Sequence, residues 1–206
     1  LLVAYLTLAQ LGYLFIIFPL GAVDFGPGTS AVNAGLLQVA AHASAKAAMF
    51  MAAGLMAASL GHDQIRHLGG IGRRLPLTLL AFAVGGLALT GLVATSGAYQ
   101  VKTWLTGAAL ASGQPGWGLV MQAGGWLTLA YLLRVCYQAL FGTPAGPTGA
   151  VGPVPVPVPA PARIPLHRQL LALGLALSSL LLALLPPSWL GLADLGRPLL
   201  AGFGPP

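Results

Sequence analysis

Four polar residues stand where an apolar chain would exclude them. Lys46 lies near the middle of the stretch NAGLLQVAAHASAKAAMFMAAGLMAASL (33–60), with His42 four residues before it and Gln38 four before that. A spacing of four puts all three on one helical face. Lys102 follows the small, polar run LVATSGAYQ inside a second apolar stretch. A lysine at the centre of a spanning helix costs about 2.5–3.5 kcal/mol on insertion scales, and ionisable groups kept there mark ion or proton routes. An amine withdrawn from water holds its charge less firmly. Free imidazole titrates near neutrality, and the His42 ring stands one turn away as a relay partner. Lys46, Lys102 and His42 therefore read as a proton relay. The competing reading is structural, with each lysine bonded to helix carbonyls and permanently charged. The acids are Asp24, Asp63 and Asp194, none of them inside an apolar stretch, so no fixed counter-charge is at hand and the relay is favoured.

Lesser candidates surround these four. Ser44, Thr95, Ser96, Tyr99 and Gln100 are placed to line water near the lysines, although small hydroxyl residues also serve simply to pack helices. Arg134 sits about two turns from one end of its apolar stretch, close enough to snorkel to the surface; it reads as an anchor first and a channel-lining residue second. His62, His67 and His167 fall in loops and are expected to be solvated. Trp104, Trp117, Trp126 and Trp189 read as packing or interface anchors.

The composition narrows the setting. Of 206 residues, 57% are hydrophobic and 6% charged, against about 25% charged in soluble domains. That excludes a soluble enzyme, and the high hydrophobicity excludes disorder. The net charge of +6 comes from scarce acids, with nine Lys plus Arg against three Asp. No basic run offers nucleic acid a footprint. One cysteine, Cys136, excludes a disulfide framework or a cysteine metal cage. No redox cofactor is expected on this chain.

The elements that must carry the lysines follow from length. A spanning helix needs about 20 apolar residues, which places spans near 1–20, 33–60, 76–111, 117–141 and 166–186. The third, at about 36 residues and roughly 54 Å, is too long for a simple crossing, and its polar middle predicts a broken helix near 92–100. The expected fold is an all-α polytopic transmembrane helix bundle of about five spans. Residues 1–142 form its main part, 143–165 a Pro-rich connector whose alternating prolines favour extended polyproline II, and 166–206 a last helix and tail. Arg66, Arg73 and Arg74 lie in the 61–74 loop, and Arg163 and Arg168 in or beside the 142–168 connector. Both loops fall on one side if 75–111 crosses once, and the positive-inside tendency makes that side cytoplasmic.

At these residues the sequence resembles the proton-translocating, antiporter-like membrane subunits of respiratory complex I, a family that also includes subunits of multi-subunit sodium/proton antiporters and membrane-bound hydrogenases. LLVAYLTLAQLGY (1–13) is similar to the family's LLAYSSISQxGY helix, and HASAKAAMFMAAG (42–54) to HAxFKAxLFLxAG. DQIRHLGGIGRRLPLTLLAFAVGGLALTGL, TSGAYQVKTWL and LLRVCYQALFG then follow in the family's order. The resemblance covers roughly 1–142 and implies that Lys102 is a relay lysine on a broken helix and that His42 and Lys46 are its partners on the preceding helix. It implies that the chain corresponds to the C-terminal half of such a subunit, a piece whose earlier half would hold a second half-channel. Gln38 stands where many members carry a second histidine, Leu92-Val93 where Leu-Pro is usual, and Ala98 where a glycine is usual.

The resulting expectation is a membrane subunit carrying a proton half-channel in a complex I-like NADH:quinone oxidoreductase, with no redox site of its own. It would sit in a bacterial inner membrane beside other membrane subunits of a respiratory or antiporter complex, in contact with the lipid bilayer. Its cargo would be protons, with sodium as the alternative. The rival readings are a subunit of a sodium/proton antiporter or hydrogenase, and a non-conducting scaffold.

Overall fold

The computed structural model describes residues 2–20, 31–143 and 164–184. These are helical, with no strand among them. Helix α1 spans Leu2–Leu20, α2 Ala31–Leu60, α3 the single turn Ile71–Arg74, α4 Pro76–Thr90, α5 Gly97–Ala111, α6 Pro115–Phe141 and α7 Leu166–Leu181, the last extended by a 3-10 turn at Leu182–Leu184. Asn33–Leu60, Pro115–Phe141 and Leu166–Leu184 are each long and apolar enough to cross a membrane. The chain is thus a polytopic helical membrane protein. Helix α4, at 15 residues, extends about 22 Å and falls short of a bilayer core of about 30 Å, so a crossing here needs α5 as well. The loop at 21–30, most of the Pro-rich connector (144–163) and Trp189 lie outside the described residues.

The break in the long third stretch falls at residues 91–96, and local chemistry explains both of its edges. Gly91 takes the left-handed conformation (φ 63°, ψ 28°) that ends α4, a conformation that glycine adopts without steric cost. Ser96 starts α5 as its N-cap, its Oγ accepting from the Tyr99 amide at 3.2 Å. Between them the freed backbone finds partners, as unwound chain at membrane depth must. The Val93 carbonyl accepts from the Ser96 amide at 2.9 Å and from its hydroxyl at 2.8 Å. The Thr95 carbonyl accepts from the Ala183 amide of the last 3-10 turn at 3.2 Å.

Helix α4 packs against α2, α6 and α7, and α7 also lies along α2. The buried face of α7 consists of Gln169, Ala172, Ala176 and Ser179. Their spacing of three and four makes one stripe, and their small size permits close approach. Ser179 donates to the Ala41 carbonyl of α2 at 2.9 Å, and Thr78 of α4 donates to Gln169 at 3.3 Å. One apolar core, with Met49, Phe82, Leu89 and Leu132, joins α2, α4, α6 and α7. A second, with Ile16, Leu20, Leu37, Leu105 and Met121, joins α1, α2, α5 and α6. The outer face of α6 leaves Leu119, Trp126, Leu127 and Phe141 exposed, as expected of a helix bounded by hydrocarbon or other membrane helices.

The 61–75 segment is more ordered than a simple polar loop. Gly61 ends α2 with φ 75°, Ile65–His67 form a 3-10 turn, and the Gln138 side chain of α6 donates to the Arg66 carbonyl at 2.8 Å. His67 is exposed as expected, but His62 is half-buried, its ring edge-on to that of His67 at 5.7 Å between centroids. His62 shares a cavity lining with Ala53, Gly54 and Ala57 of α2, a burial that a reading of its neighbours as loop could not anticipate.

Candidate functional site

Lys102 owes its position to the break. When α4 stops, its last carbonyls lose the amides of the following turn, and the end of the helix carries partial negative charge. The Lys102 amine, in the second turn of α5, donates to the Thr90 carbonyl at 2.6 Å. It also lies 5.6 Å from the ring centroid of Tyr13 on α1, within reach of a cation–π interaction. The side chain is buried, 7% exposed. A Cβ on Gly91 would come within 2.6 Å of Lys102 Cδ, so the same glycine that ends α4 clears the path of the lysine. A helix-end carbonyl and an aromatic face here stand where a carboxylate would ordinarily neutralise a buried cation. Among the described residues the one acid is Asp63, exposed in the 61–75 segment.

Lys46, His42 and Gln38 share a face of α2 as their spacing predicts. Lys46 and Gln38 are buried, and the Lys46 amine donates to the Val3 carbonyl of α1 at 2.6 Å, with the Phe50 ring centroid 6.0 Å away. Both ring nitrogens of His42 are enclosed, and neither has a hydrogen-bond partner among the described residues. Its neighbour Ala41 touches the start of the second half of the broken helix: a Cβ on Gly97 would come within 2.8 Å of the Ala41 Cβ. His42 thus lies at the level where α5 begins. Val3 and Phe50, which flank the Lys46 amine, line one part of a cavity of about 720 Å³ whose other lining residues include His62, Asp63 and Arg66.

The remaining candidates divide. Ser96 is fully buried, but its hydroxyl is committed to the cap of α5. Ser44 is half-buried and bonds back to the Ala40 carbonyl at 2.8 Å. Thr95 and Gln100 are half-buried, whereas Tyr99 and Arg134 are exposed on the outside of α5 and α6. Arg134 does not join the lysine clusters. Sequence reasoning missed Tyr13, Thr90 and Gly125, all of which approach the Lys102 amine. Thr90-Gly91 carried a usable signal, since a glycine before a polar run marks a helix end. Tyr13 and Gly125 carried none, because an aromatic or a glycine in an apolar helix looks like ordinary packing.

Comparison with known proteins agrees with this architecture. Residues 1–140 match the family described as NADH:quinone oxidoreductase/Mrp antiporter, transmembrane. NADH-quinone oxidoreductase subunit L of Pseudomonas aeruginosa is 32% identical over 144 residues, covering 69% of this chain and 22% of that protein. NADH-ubiquinone oxidoreductase chain 5 of Dugong dugon is 32% identical over 149 residues, covering 71% of this chain and 23% of that one. The chain therefore spans about a fifth of the length of these relatives. A chain in the structure of the Mrp complex from Dietzia sp. superposes with a TM-score of 0.70 at 26% identity, covering 88% of this chain and 39% of the other. The match over 1–140, which contains both buried lysines and the broken helix, establishes that the chain belongs to the NADH:quinone oxidoreductase/Mrp antiporter transmembrane family.

Proposed function

We propose that this chain forms a proton-translocation half-channel within a multi-subunit membrane complex of the NADH:quinone oxidoreductase type, with protons exchanged among Lys102, His42 and Lys46. The observation that carries the reading is that both lysines are buried against backbone carbonyls with no carboxylate partner among the described residues. A buried amine bonded only to neutral dipoles can release its proton without leaving an orphaned anion behind. The enclosed imidazole of His42, one turn from Lys46, has two nitrogens able to accept and donate in turn. A cavity lined by Val3 and Phe50, the two residues beside the Lys46 amine, reaches His62, Asp63 and Arg66, which supports a route between that lysine and the basic 61–74 loop, the side that the positive-inside tendency would make cytoplasmic. Bacterial relatives support a bacterial inner membrane, with other membrane subunits as partners.

The test is proton uptake by inverted membrane vesicles carrying the assembled complex. Lys46→Ala or Lys102→Ala is expected to lower uptake at least about tenfold, and normal uptake in both variants would leave only the scaffold reading. The likeness to an Mrp complex favours a second reading, a cation/proton antiporter subunit. Sodium-dependent proton movement in the absence of NADH would select it, and uptake that requires NADH oxidation would select the oxidoreductase.

A further inference from the structure

We propose that Gly124 and Gly125, consecutive residues of α6, are positioning residues for Lys102, an inference that rests on the relay reading above. A Cβ on Gly125 would stand 2.5 Å from the Lys102 Nζ and 2.6 Å from the Thr90 oxygen. The lysine alone could swing away, but the carbonyl belongs to the backbone at the end of α4. An added methyl therefore separates donor from acceptor or pushes α6 off the break. A Cβ on Gly124 would overlap the Tyr13 hydroxyl and approach the ring carbon bearing it to 3.2 Å. That hydroxyl donates to the Met121 carbonyl of α6 at 3.4 Å, and the ring it carries is the one beside the Lys102 amine. One glycine seats the amine, and the next seats its aromatic neighbour. By contrast, Gly116 of the same helix has nothing within 4 Å of an added Cβ, and a Cβ on Gly118 would meet the Thr106 side chain at 3.2 Å, so the clashes under 3.0 Å in this helix are those around Lys102 and Tyr13.

The consequence is that α6, which contributes no titratable side chain to this cluster, sets the hydrogen-bond geometry of the relay amine. Proton transfer needs hydrogen-bond contact, and a displacement of about 1 Å can cost on the order of 100-fold in rate.

The experiment measures proton uptake per assembled complex, and its pH dependence, in inverted vesicles carrying Gly116→Ala, Gly124→Ala, Gly125→Ala, Tyr13→Phe, the Gly124→Ala/Tyr13→Phe double variant, and Lys102→Met. Gly125→Ala is expected to lower uptake at least about tenfold and to shift the pH profile of what remains. Gly116→Ala should match the parent in both. Tyr13→Phe should restore most of the uptake lost in Gly124→Ala, because the overlapping hydroxyl is gone. If Gly125→Ala fails to assemble, the Gly124/Tyr13 pair decides the matter on uptake. Loss in Lys102→Met, with both glycine variants behaving like Gly116→Ala, overturns the positioning inference and leaves the relay standing. Normal uptake in Lys102→Met overturns the relay itself. Failure of Tyr13→Phe to rescue Gly124→Ala also sinks the inference.

Discussion

Lys102 of α5 and Thr90 of α4 are twelve residues apart and 2.6 Å apart from amine to carbonyl, joined across the break between their helices. The bond turns the helix end into the acceptor for a buried cation. It also separates two roles that mutation can tell apart. Removing a buried cation ends the cost of holding it out of water, which offsets the loss of its bond to the Thr90 carbonyl. Lys102→Met keeps the stem and removes the donor. The assembled complex should therefore unfold at the parent's temperature or slightly above it while proton uptake falls at least about tenfold. Lower stability with intact uptake would mark the lysine as structural.

Lys46 and His42 share the next test. His42→Gln keeps donor and acceptor atoms but cannot titrate, as at Gln38 one turn away, whereas His42→Ala leaves a void. If the imidazole moves protons, both variants should slow uptake to a similar degree, and a normal rate in His42→Gln would confine the residue to a hydrogen-bonding role. Lys46→Met should resemble Lys102→Met, because it likewise removes an amine that donates to a single backbone carbonyl, here that of Val3.

Gly91 is expected to tolerate no side chain. Its φ of 63° costs an L-residue roughly 1–2 kcal/mol, and its Cβ would also meet Lys102 Cδ at 2.6 Å. Gly91→Ala should lower the thermal midpoint of the assembled complex and reduce uptake together. A variant matching the parent in both would show that the left-handed end of α4 is dispensable.

Ser96→Ala removes the N-cap of α5 together with the hydroxyl bond to Val93. Loss of such a cap costs about 1 kcal/mol. Amides 97–100 should then exchange with solvent faster in hydrogen–deuterium exchange, while those of 83–88, inside α4, should not change. Equal protection across the break in parent and variant would count against the cap as its organiser.

Much of this protein is legible in its residue order. Burial in hydrocarbon demands apolar runs of set length, so 33–60 and 117–141 announce α2 and α6 within two residues of their observed starts, and the four-residue spacing of Gln38, His42 and Lys46 places them on one face because helical geometry is local. The break is legible to within a residue or two at its first edge for the same reason: Gly91, the hydroxyl residues and Ser96-Gly97 are local chemistry. What each amine touches cannot be read this way. Val3 is 43 residues from Lys46, and Tyr13 and Gly125 approach Lys102 from two other helices. Such partners are chosen by how α1, α4 and α6 pack. The residues supplying them are a backbone carbonyl, an aromatic ring and a missing side chain, none of which has a polar signature along the chain.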